Sequence, residues 1–364
     1  MRASIRAAWF LGGYLRPGAA SVREEEVSVP TPGGEVEGTF YLPRGDRRVP
    51  GWIVLHGVTV PGRKHESLVR FARAMASSGA GVLVPDVPAW RALQVRSETA
   101  RETILAGSEY LRGRPEVDPD GLGVVGFSFG ATHALIGSAH PELRDRVRTV
   151  VGFGGYCDLR RAVRCMFTGE HDWAGRHHRV APDPYGRWIL AGNYLPAVSG
   201  MEGMGRVAAE ARELAAEAGR RRTYAGEADY DALKAEARAR LAPEEREVWD
   251  LLAPPHGAPP PDPDRARALA DGLTDAALAA DPALDPRPAF RSLRARVVLA
   301  HGEADHLIPY TESLRMYAAL PETLDRSVTI TRLFAHSTGN AAVRAVEYGW
   351  EGMRFFGLLR QALK

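Results

Sequence analysis

Cysteine is scarce in this 364-residue chain, which holds only Cys157 and Cys165. Two cysteines exclude a disulfide framework, and buried reduced thiols are the expected state, although one bridge between them stays open. No run approaches the roughly 18 consecutive apolar residues of a membrane span. An excess of one charge is also missing, because 47 basic residues face 45 acidic ones for a formal net charge of +2. We therefore expect no nucleic-acid partner and no integral membrane span.

The overall composition is that of a globular protein, with 45% hydrophobic and 25% charged residues. Residues 1–22 stand apart as an N-terminal segment. Their short apolar run, 7–15, is broken by Gly12 and Gly13 and followed by Arg16, so it imitates a signal peptide only weakly. A short helix lying on the domain is expected there, in a cytoplasmic protein. Export, attachment to a membrane surface and homo-oligomer formation stay open.

Strands and helices alternate along most of the chain. Residues 25–29 and 36–42 predict a hairpin, and later apolar runs alternate with segments of helical period. The later strands are predicted at 52–55, 81–84, 122–126, 148–152, 295–300 and 328–333. This rhythm predicts an α/β fold with right-handed βαβ units on a mostly parallel, doubly wound sheet.

The rhythm breaks between residues 159 and 287, where no convincing strand is found. Residues 205–242 are rich in Ala, Arg and Glu, and a proline-rich link at 254–263 precedes a helix at 264–280. We interpret 159–287 as an inserted helical cap, and residues 23–158 with 288–364 as the core.

The strongest chemical signal is Gly126-Phe127-Ser128-Phe129-Gly130. It follows an apolar strand and precedes a helical run, the setting of a nucleophile elbow. A sharp turn there lifts the serine hydroxyl above the sheet, and Gly126 and Gly130 are small because strand and helix nearly touch.

A nucleophilic serine needs an imidazole base that is oriented by a carboxylate. Asp305 follows the strand predicted at 295–300, and His336 follows the one at 328–333. Ser128, Asp305 and His336 therefore form the predicted triad, in the chain order Ser, Asp, His. Asp158 is the alternative acid, and Glu303 is a weaker one.

Other histidines fit the base role less well. His133 lies inside the helix after the elbow and is expected to be packed or solvated. His301 ends a strand and is expected to brace the acid loop, and His306 adjoins Asp305 too closely to accept its hydrogen bond.

The oxyanion of an acyl-transfer reaction needs two preorganised N–H donors. The backbone of Phe129, directly after the nucleophile, is one candidate. The second is the backbone N–H of Val58, in the His56-Gly57-Val58 loop, because a glycine before it lets the loop curl over the serine.

The segments LHGV, GFSFG, HGEADHLIP and FAHS resemble the α/β-hydrolase superfamily, especially its dienelactone hydrolase-like and serine-esterase branches. The resemblance covers about residues 23–158 and 288–364. It implies a sheet of about eight strands and serine acyl-transfer chemistry. Dienelactone hydrolases carry a cysteine nucleophile, so Ser128 favours esterase chemistry, and the chain is too short for the propeller of the oligopeptidase relatives.

Two further groups of side chains are candidates for a metal site and for a substrate pocket. His171, His177 and His178, with Glu170 and Asp172, match no common zinc spacing, so no metal site is predicted. Aromatic residues near the elbow and the start of the insertion either pack or line a substrate pocket. They are Phe127, Trp173, Tyr185, Trp188 and Tyr194.

The sequence therefore predicts a serine hydrolase that cleaves a small-molecule carboxylic ester and needs no cofactor. A peptidase, amidase or lactonase on the same triad is the alternative. A catalytically silent, partner-binding protein is the third reading.

Overall fold

A computed structural model of the protein describes residues 3–16, 18, 21–45, 47–221, 223–333 and 349–364. Within them, eight strands form one sheet and two more form a small hairpin. The sheet strands are β1 (Val22–Thr31), β2 (Gly34–Pro43), β3 (Val49–Leu55), β4 (Gly81–Pro85), β5 (Val117–Phe127), β6 (Val147–Phe153), β9 (Arg296–Gly302) and β10 (Arg326–Thr331). The hairpin strands are β7 (Glu170–Trp173) and β8 (Arg176–Arg179).

Helices precede, follow or interrupt this series of strands. Those flanking the sheet are α1 (Ala3–Leu15), α2 (Glu66–Ser77), α3 (Pro88–Arg91), α4 (Glu98–Arg112), α5 (Phe129–Ser138), α12 (Arg287–Phe290), α13 (Thr311–Ala319) and α14 (Gly349–Ala362). Those between residues 159 and 287, called the helical insertion below, are α6 (Leu159–Thr168), α7 (Tyr185–Tyr194), α8 (Gly205–Arg221), α9 (Asp231–Arg240), α10 (Pro243–Leu252) and α11 (Pro263–Ala280).

The sheet has the order β1-β2-β4-β3-β5-β6-β9-β10. Only the pairs β1–β2 and β2–β4 are antiparallel, and the other five pairs are parallel. This arrangement confirms the predicted fold class. It also brings the carboxyl ends of β3, β5, β6, β9 and β10 to one edge, where ligands bind in open α/β sheets.

Side chains of successive strand residues alternate between two buried layers. In β3, Ile53 and Leu55 face one layer, with α4 and α5, while Trp52 and Val54 face the other, with α1, α2 and α14. Burial on both faces explains why the parallel strands are continuous apolar runs in the sequence.

The helical insertion has an apolar core of its own that continues onto two loops of the sheet. Leu307 and Ile308, after β9, belong to this core, and Val58 and Val60, after β3, pack against it. The insertion therefore rests directly on the two loops that carry the predicted oxyanion donor and the predicted acid. The division into core and cap itself stays a prediction.

Two predictions of local structure have different outcomes. The expectation of no strand between 159 and 286 was wrong, because β7 and β8 pair there as a hairpin. Their sequences, EHDW and RHHR, carry none of the β-branched residues that mark strands. The expected N-terminal helix is confirmed, and α1 packs against α2 and α14.

The cysteines and the helices bear on two further predictions. Cys157 and Cys165 are both free and buried, as expected. Across the described parts of the chain, no helix has the length and apolarity needed to cross a bilayer.

Candidate active site

Ser128 occupies a strained turn between β5 and α5. Its φ of 56° and ψ of −126° lie outside the regions that side-chain-bearing residues normally adopt. The N–H of Ser128 donates to the carbonyl of Phe153 at 2.7 Å, which continues the pairing of β5 with β6 up to the turn. Backbone strain of this kind persists where the surroundings enforce it, often at functional sites.

Two glycines make this turn feasible. A Cβ built on Gly126 would lie 2.1 Å from the carbonyl oxygen of Gly130, and one built on Gly130 would lie 2.4 Å from the carbonyl oxygen of His56. Both distances are far shorter than any real contact, and backbone atoms cannot give way. Strand, turn and helix therefore meet as closely as the elbow interpretation requires.

The loop after β3 passes beside the serine. A Cβ built on Gly57 would lie 3.2 Å from Cβ of Ser128 and 3.6 Å from its Oγ. Among the described residues, no acceptor is found for the backbone N–H of Val58 or of Phe129. Both predicted oxyanion donors are therefore available near the nucleophile.

Both ring nitrogens of His56 are hydrogen-bonded, one of them within this loop. The N–H of Val87 donates to its Nε2 at 3.0 Å, so that nitrogen carries no proton. The proton must be on Nδ1, which donates to the carbonyl of Gly57 at 2.6 Å. Burial lowers the pKa of His56, and the ring therefore stays neutral in this tautomer.

Asp305 lies in a tight loop after β9 and is almost fully buried. Its Oδ1 accepts the N–H groups of Leu307 at 2.8 Å and Ile308 at 2.9 Å. Nε2 of His301 lies 3.2 Å from Oδ2 of Asp305 and 2.9 Å from the carbonyl of Ile308, while Nδ1 lies 2.7 Å from Oγ of Ser313. The predicted bracing role of His301 is confirmed.

Asp158, the alternative acid, has a different environment. Its side chain caps α6 by accepting the N–H of Arg161 at 3.0 Å, and its Oδ2 pairs with Arg287 at 3.0 Å. The N–H of Asp158 donates to the buried carboxylate of Glu312 at 2.8 Å. These contacts favour a structural role at the start of α6.

The strand register aligns the predicted catalytic positions at one edge. Phe127 pairs with Phe153, and Phe153 pairs with Ala300, so β5, β6 and β9 end side by side. Thr331, the last residue of β10, pairs with Gly302. Ser128 and Asp305 leave this edge directly, and the predicted base His336 lies outside the described residues.

The aromatic residues predicted to line a pocket have diverse contacts. Phe127 stacks on Phe153 with ring centroids 4.9 Å apart, towards α2. Trp188 is wholly buried, and its indole N–H donates to a backbone carbonyl in α10. The Tyr194 hydroxyl donates to the Val95 carbonyl at 2.8 Å.

The other two aromatic candidates contact residues outside the helical insertion. Trp173 lies 5.4 Å from the guanidinium of Arg315. The Tyr185 hydroxyl donates to the carbonyl of Val58 at 3.1 Å, next to the nucleophile. A pocket formed by all five aromatics stays a prediction. Tyr185 is the member with a direct contact to residues 56–58, which are called the oxyanion loop below.

His133 is packed rather than solvated. Its ring stacks on Phe129 with centroids 3.8 Å apart, and its Nδ1 lies 2.8 Å from the Phe129 carbonyl. Complete burial lowers its pKa to about 4, so it is neutral at pH 7. The sequence places His133 four residues after Phe129 in the predicted helix, but it does not show that the two rings stack.

The histidine-rich segment forms the β7–β8 hairpin. His171 and His178 stack with ring centroids 5.0 Å apart, and Tyr310 contacts both rings edge-on. Burial, with a smaller contribution from His178, lowers the pKa of His171 to about 4. No set of three or more potential ligands suited to a metal ion occurs in the described part of the chain.

Several solved structures are similar to this chain over nearly its full length. An esterase from Pyrococcus furiosus has a TM-score of 0.51 and 13% sequence identity, and the match covers 96% of this chain and 94% of that one. A hyperthermophilic esterase from the archaeon Pyrobaculum calidifontis has a TM-score of 0.51 and 16% identity, covering 100% and 91%. A protein described as a dienelactone hydrolase from Klebsiella pneumoniae subsp. pneumoniae has a TM-score of 0.47 and 13% identity, covering 93% and 99%. No protein-family model and no curated protein matches the sequence.

The likenesses to the two esterases and the sheet order define the class of structure. The chain has the α/β-hydrolase fold. The resemblance found in the sequence motifs is thereby confirmed at the level of the fold. Function belongs to the site rather than to the fold, and is argued from the residues around Ser128.

Proposed function

We propose that this protein is a serine hydrolase that cleaves a carboxylic ester through an acyl-enzyme intermediate. The strained backbone of Ser128, wedged between glycines that tolerate no Cβ, is the observation that carries the proposal. A structure without catalytic use for this hydroxyl would have little reason to maintain such a turn.

The proposed reaction begins with attack of Ser128 Oγ on the ester carbonyl. His336 accepts the hydroxyl proton and then donates it to the leaving alcohol, while Asp305 orients the imidazole and stabilises its charged form. The N–H groups of Phe129 and Val58 bind the tetrahedral oxyanion. Water then attacks the acyl-enzyme with His336 again as base, which releases the acid and restores Ser128.

Asp305 is the proposed acid because its Oδ1 is already fixed by two backbone N–H groups and its loop by His301. A carboxylate held in this way can orient an imidazole without rearranging. Asp158 instead is occupied as a helix cap and an arginine partner.

We also propose that the helical insertion acts as a cap that narrows access to Ser128. The support is its contact with the loops on both sides of the site, through Val58 and Leu307. A cap of this kind selects substrates by size, which places substrate choice in the insertion rather than in the elbow.

A fluorophosphonate probe followed by mass spectrometry tests the nucleophile, and a chain-length series of p-nitrophenyl esters tests the reaction. We expect one adduct, on Ser128, and turnover of some esters in the series. Ser128→Ala should carry no adduct, whereas the matched control Ser138→Ala should still be labelled on Ser128. Ser138 is the last residue of α5, and its buried Oγ has no partner among the described residues. Absence of an adduct from the folded wild-type protein would refute the proposal and favour the partner-binding alternative.

Turnover assays of the same protein preparation with esters, amides and lactones distinguish the three substrate classes. Turnover of peptides or lactones with no turnover of simple esters would replace the esterase assignment while retaining the acyl-enzyme mechanism.

A further inference from the structure

Two consecutive peptide groups of the oxyanion loop each accept a hydrogen bond from a side chain, one of the core and one of the helical insertion. Nδ1 of His56 donates to the carbonyl of Gly57 at 2.6 Å. In a trans peptide the C=O and the following N–H point in opposite directions, so the N–H of Val58 points away from His56.

The hydroxyl of Tyr185 donates to the carbonyl of Val58 at 3.1 Å. Burial raises the pKa of Tyr185, so the hydroxyl keeps its proton and stays a donor. Because the peptide groups before and after Val58 are both fixed, its two backbone dihedrals have little freedom. The direction of the Val58 N–H is thus set jointly by a core histidine and an insertion tyrosine.

We infer that Tyr185 is a positioning residue for the oxyanion hole: its hydroxyl holds the Val58 peptide so that the Val58 N–H faces the reacting carbonyl oxygen. This inference rests on the proposed function. Tyr185 touches neither substrate nor reacting atoms in this role, which differs from that of a pocket wall.

The chain just before Tyr185 extends the same control to the acid loop. The N–H of Asp183 donates to the carbonyl of His306 at 2.7 Å, and Nδ1 of His306 lies 2.8 Å from the carbonyl of Ala181. Residues 181–185 therefore connect the loop of Asp305 to the loop of Val58. A displacement of the insertion would disturb both loops together.

Tyr185→Phe tests the inference, because it removes only the hydroxyl. Tyr230→Phe is the matched control: Tyr230 is a buried tyrosine of the insertion, and its hydroxyl bonds Thr223 at 2.6 Å. Three quantities are compared in both variants and in wild type. They are kcat and KM for the best p-nitrophenyl ester, and Ki for a trifluoromethyl ketone, whose serine adduct carries an oxyanion.

We expect Tyr185→Phe to lower kcat by about 10- to 100-fold, the loss typical of a misplaced catalytic group, with little change in KM. Ki for the ketone should rise by a similar factor, because the ketone adduct uses the same donors. Tyr230→Phe should leave all three quantities near wild type while losing similar thermal stability.

Wild-type kcat and Ki in Tyr185→Phe would overturn the inference and leave the proposed function intact. Equal losses in both variants, proportional to the unfolded fraction, would also overturn it. Failure of the probe to label Ser128 in the wild type would instead refute the proposed function, and the inference with it.

A second, independent observation concerns the outer face of α1. Ile5 and Trp9 on this face are 45% and 54% exposed, and Leu15 at the end of the helix is 39% exposed, whereas Ala7 and Phe10 on the opposite face are buried against the domain. Ile5 and Trp9 lie one turn apart and so form a continuous apolar patch, and contiguous exposed patches are where proteins meet partners or membranes.

Basic residues lie on and beside this helix. Helix α1 contains no acidic residue, and Arg16 follows it in an exposed position. Arg6 donates to the carbonyl of Leu363 at 2.9 Å, which brings the exposed Arg360 and Lys364 of the C-terminal end close to α1.

We propose that this face binds a lipid surface with anionic headgroups. Tryptophan favours the membrane interface, aliphatic side chains enter the acyl boundary, and arginine and lysine attract anionic lipids. The occupant is a membrane surface because an apolar stripe bordered by basic residues complements it on both counts.

Sedimentation with vesicles tests this second proposal. We expect binding to phosphatidylglycerol–phosphatidylcholine vesicles, less binding at high salt or to pure phosphatidylcholine, and loss of binding in Ile5→Ser/Trp9→Ser, whose exposed positions leave the fold intact. Absence of vesicle binding by the wild type would overturn the proposal. So would concentration-dependent dimerisation that the double variant abolishes, since a second copy would then cover the face.

Discussion

The backbone of the elbow and the side chains of the helical insertion position the site in different ways. At the elbow, Gly126, Ser128 and Gly130 hold the nucleophile through main-chain contacts so close that no Cβ fits. Above it, the insertion reaches the oxyanion loop through one tyrosine hydroxyl and apolar side chains. Main-chain geometry is hard to alter by substitution, whereas side-chain contacts change readily. The proposed nucleophile is therefore fixed by the main chain of the sheet, whereas the contacts of the insertion depend on side chains.

The largest expected effect comes from removing the nucleophile or the base. Ser128→Ala or His336→Ala should each lower kcat by about 10⁶-fold, as in other serine triads, with unfolding transitions close to wild type. Steady-state turnover of the best p-nitrophenyl ester, together with circular dichroism, measures both. Wild-type turnover in His336→Ala would show that another group acts as the base.

The two candidate acids provide the next comparison, between a loop at the sheet edge and the start of the insertion. Asp305→Asn should lower kcat by about 10⁴-fold, because the imidazole loses its orienting carboxylate. Asp158→Asn should cost less than about 10-fold in kcat and less than about 1 kcal/mol of stability, because asparagine still caps α6 and only the ion pair with the half-exposed Arg287 is lost. A larger kinetic loss in Asp158→Asn than in Asp305→Asn would reverse the assignment.

A matched pair of glycines tests whether the elbow is the more rigid of the two regions. Gly130 and Gly219 both lie in helices, but a Cβ at 130 would meet the His56 carbonyl at 2.4 Å, whereas one at 219 would meet a Val60 methyl at 3.1 Å. We expect Gly130→Ala to lower the free energy of unfolding by about 3 kcal/mol. Gly219→Ala should change it by less than about 1 kcal/mol, because a side chain can shift and alanine favours the helix.

Urea denaturation of both glycine variants makes the measurement. Equal losses in the free energy of unfolding would show that the contact of α8 with Val60 is as rigid as the elbow.

The same contrast explains what the sequence could predict. The strands and the elbow follow from local signals, such as the apolar run before Gly126 and the small residues around Ser128. The contact of Tyr185 with Val58 joins residues 127 positions apart and has no local signature. The β7–β8 hairpin was missed because its charged and histidine-rich strands lack β-branched residues. Local sequence signals thus predict the elbow around Ser128, while the contacts that hold the neighbouring loops depend on tertiary packing.

The smallest predicted effect compares two buried histidines, one in each region, through the pH dependence of stability. The pKa of His133, beneath the elbow, and that of His171, in the insertion, are both lowered to about 4, mainly by burial. An unfolded histidine titrates near 6.5. Between these values the unfolded chain binds a proton that the folded chain does not, so stability falls as pH falls. For His133, which is wholly buried, the loss between pH 7 and pH 5 should be about 2 kcal/mol.

His133→Phe should remove that part of the pH dependence. His171→Phe should remove a similar part, because the pKa of His171 is lowered to about the same value. Denaturation midpoints at pH 5, 6 and 7 for both variants and wild type measure the difference. If His171→Phe flattened the profile more than His133→Phe, the acid-sensitive part of the molecule would be the insertion. Loss of activity at low pH would then begin with release of the β7–β8 hairpin from the loop after Asp305, since Thr311 and Tyr310 contact its histidines. If the two variants flatten the profile equally, as we expect, acid weakens both regions. Beneath the elbow, the ring that takes up the charge is stacked on Phe129, which supplies one of the two proposed oxyanion donors.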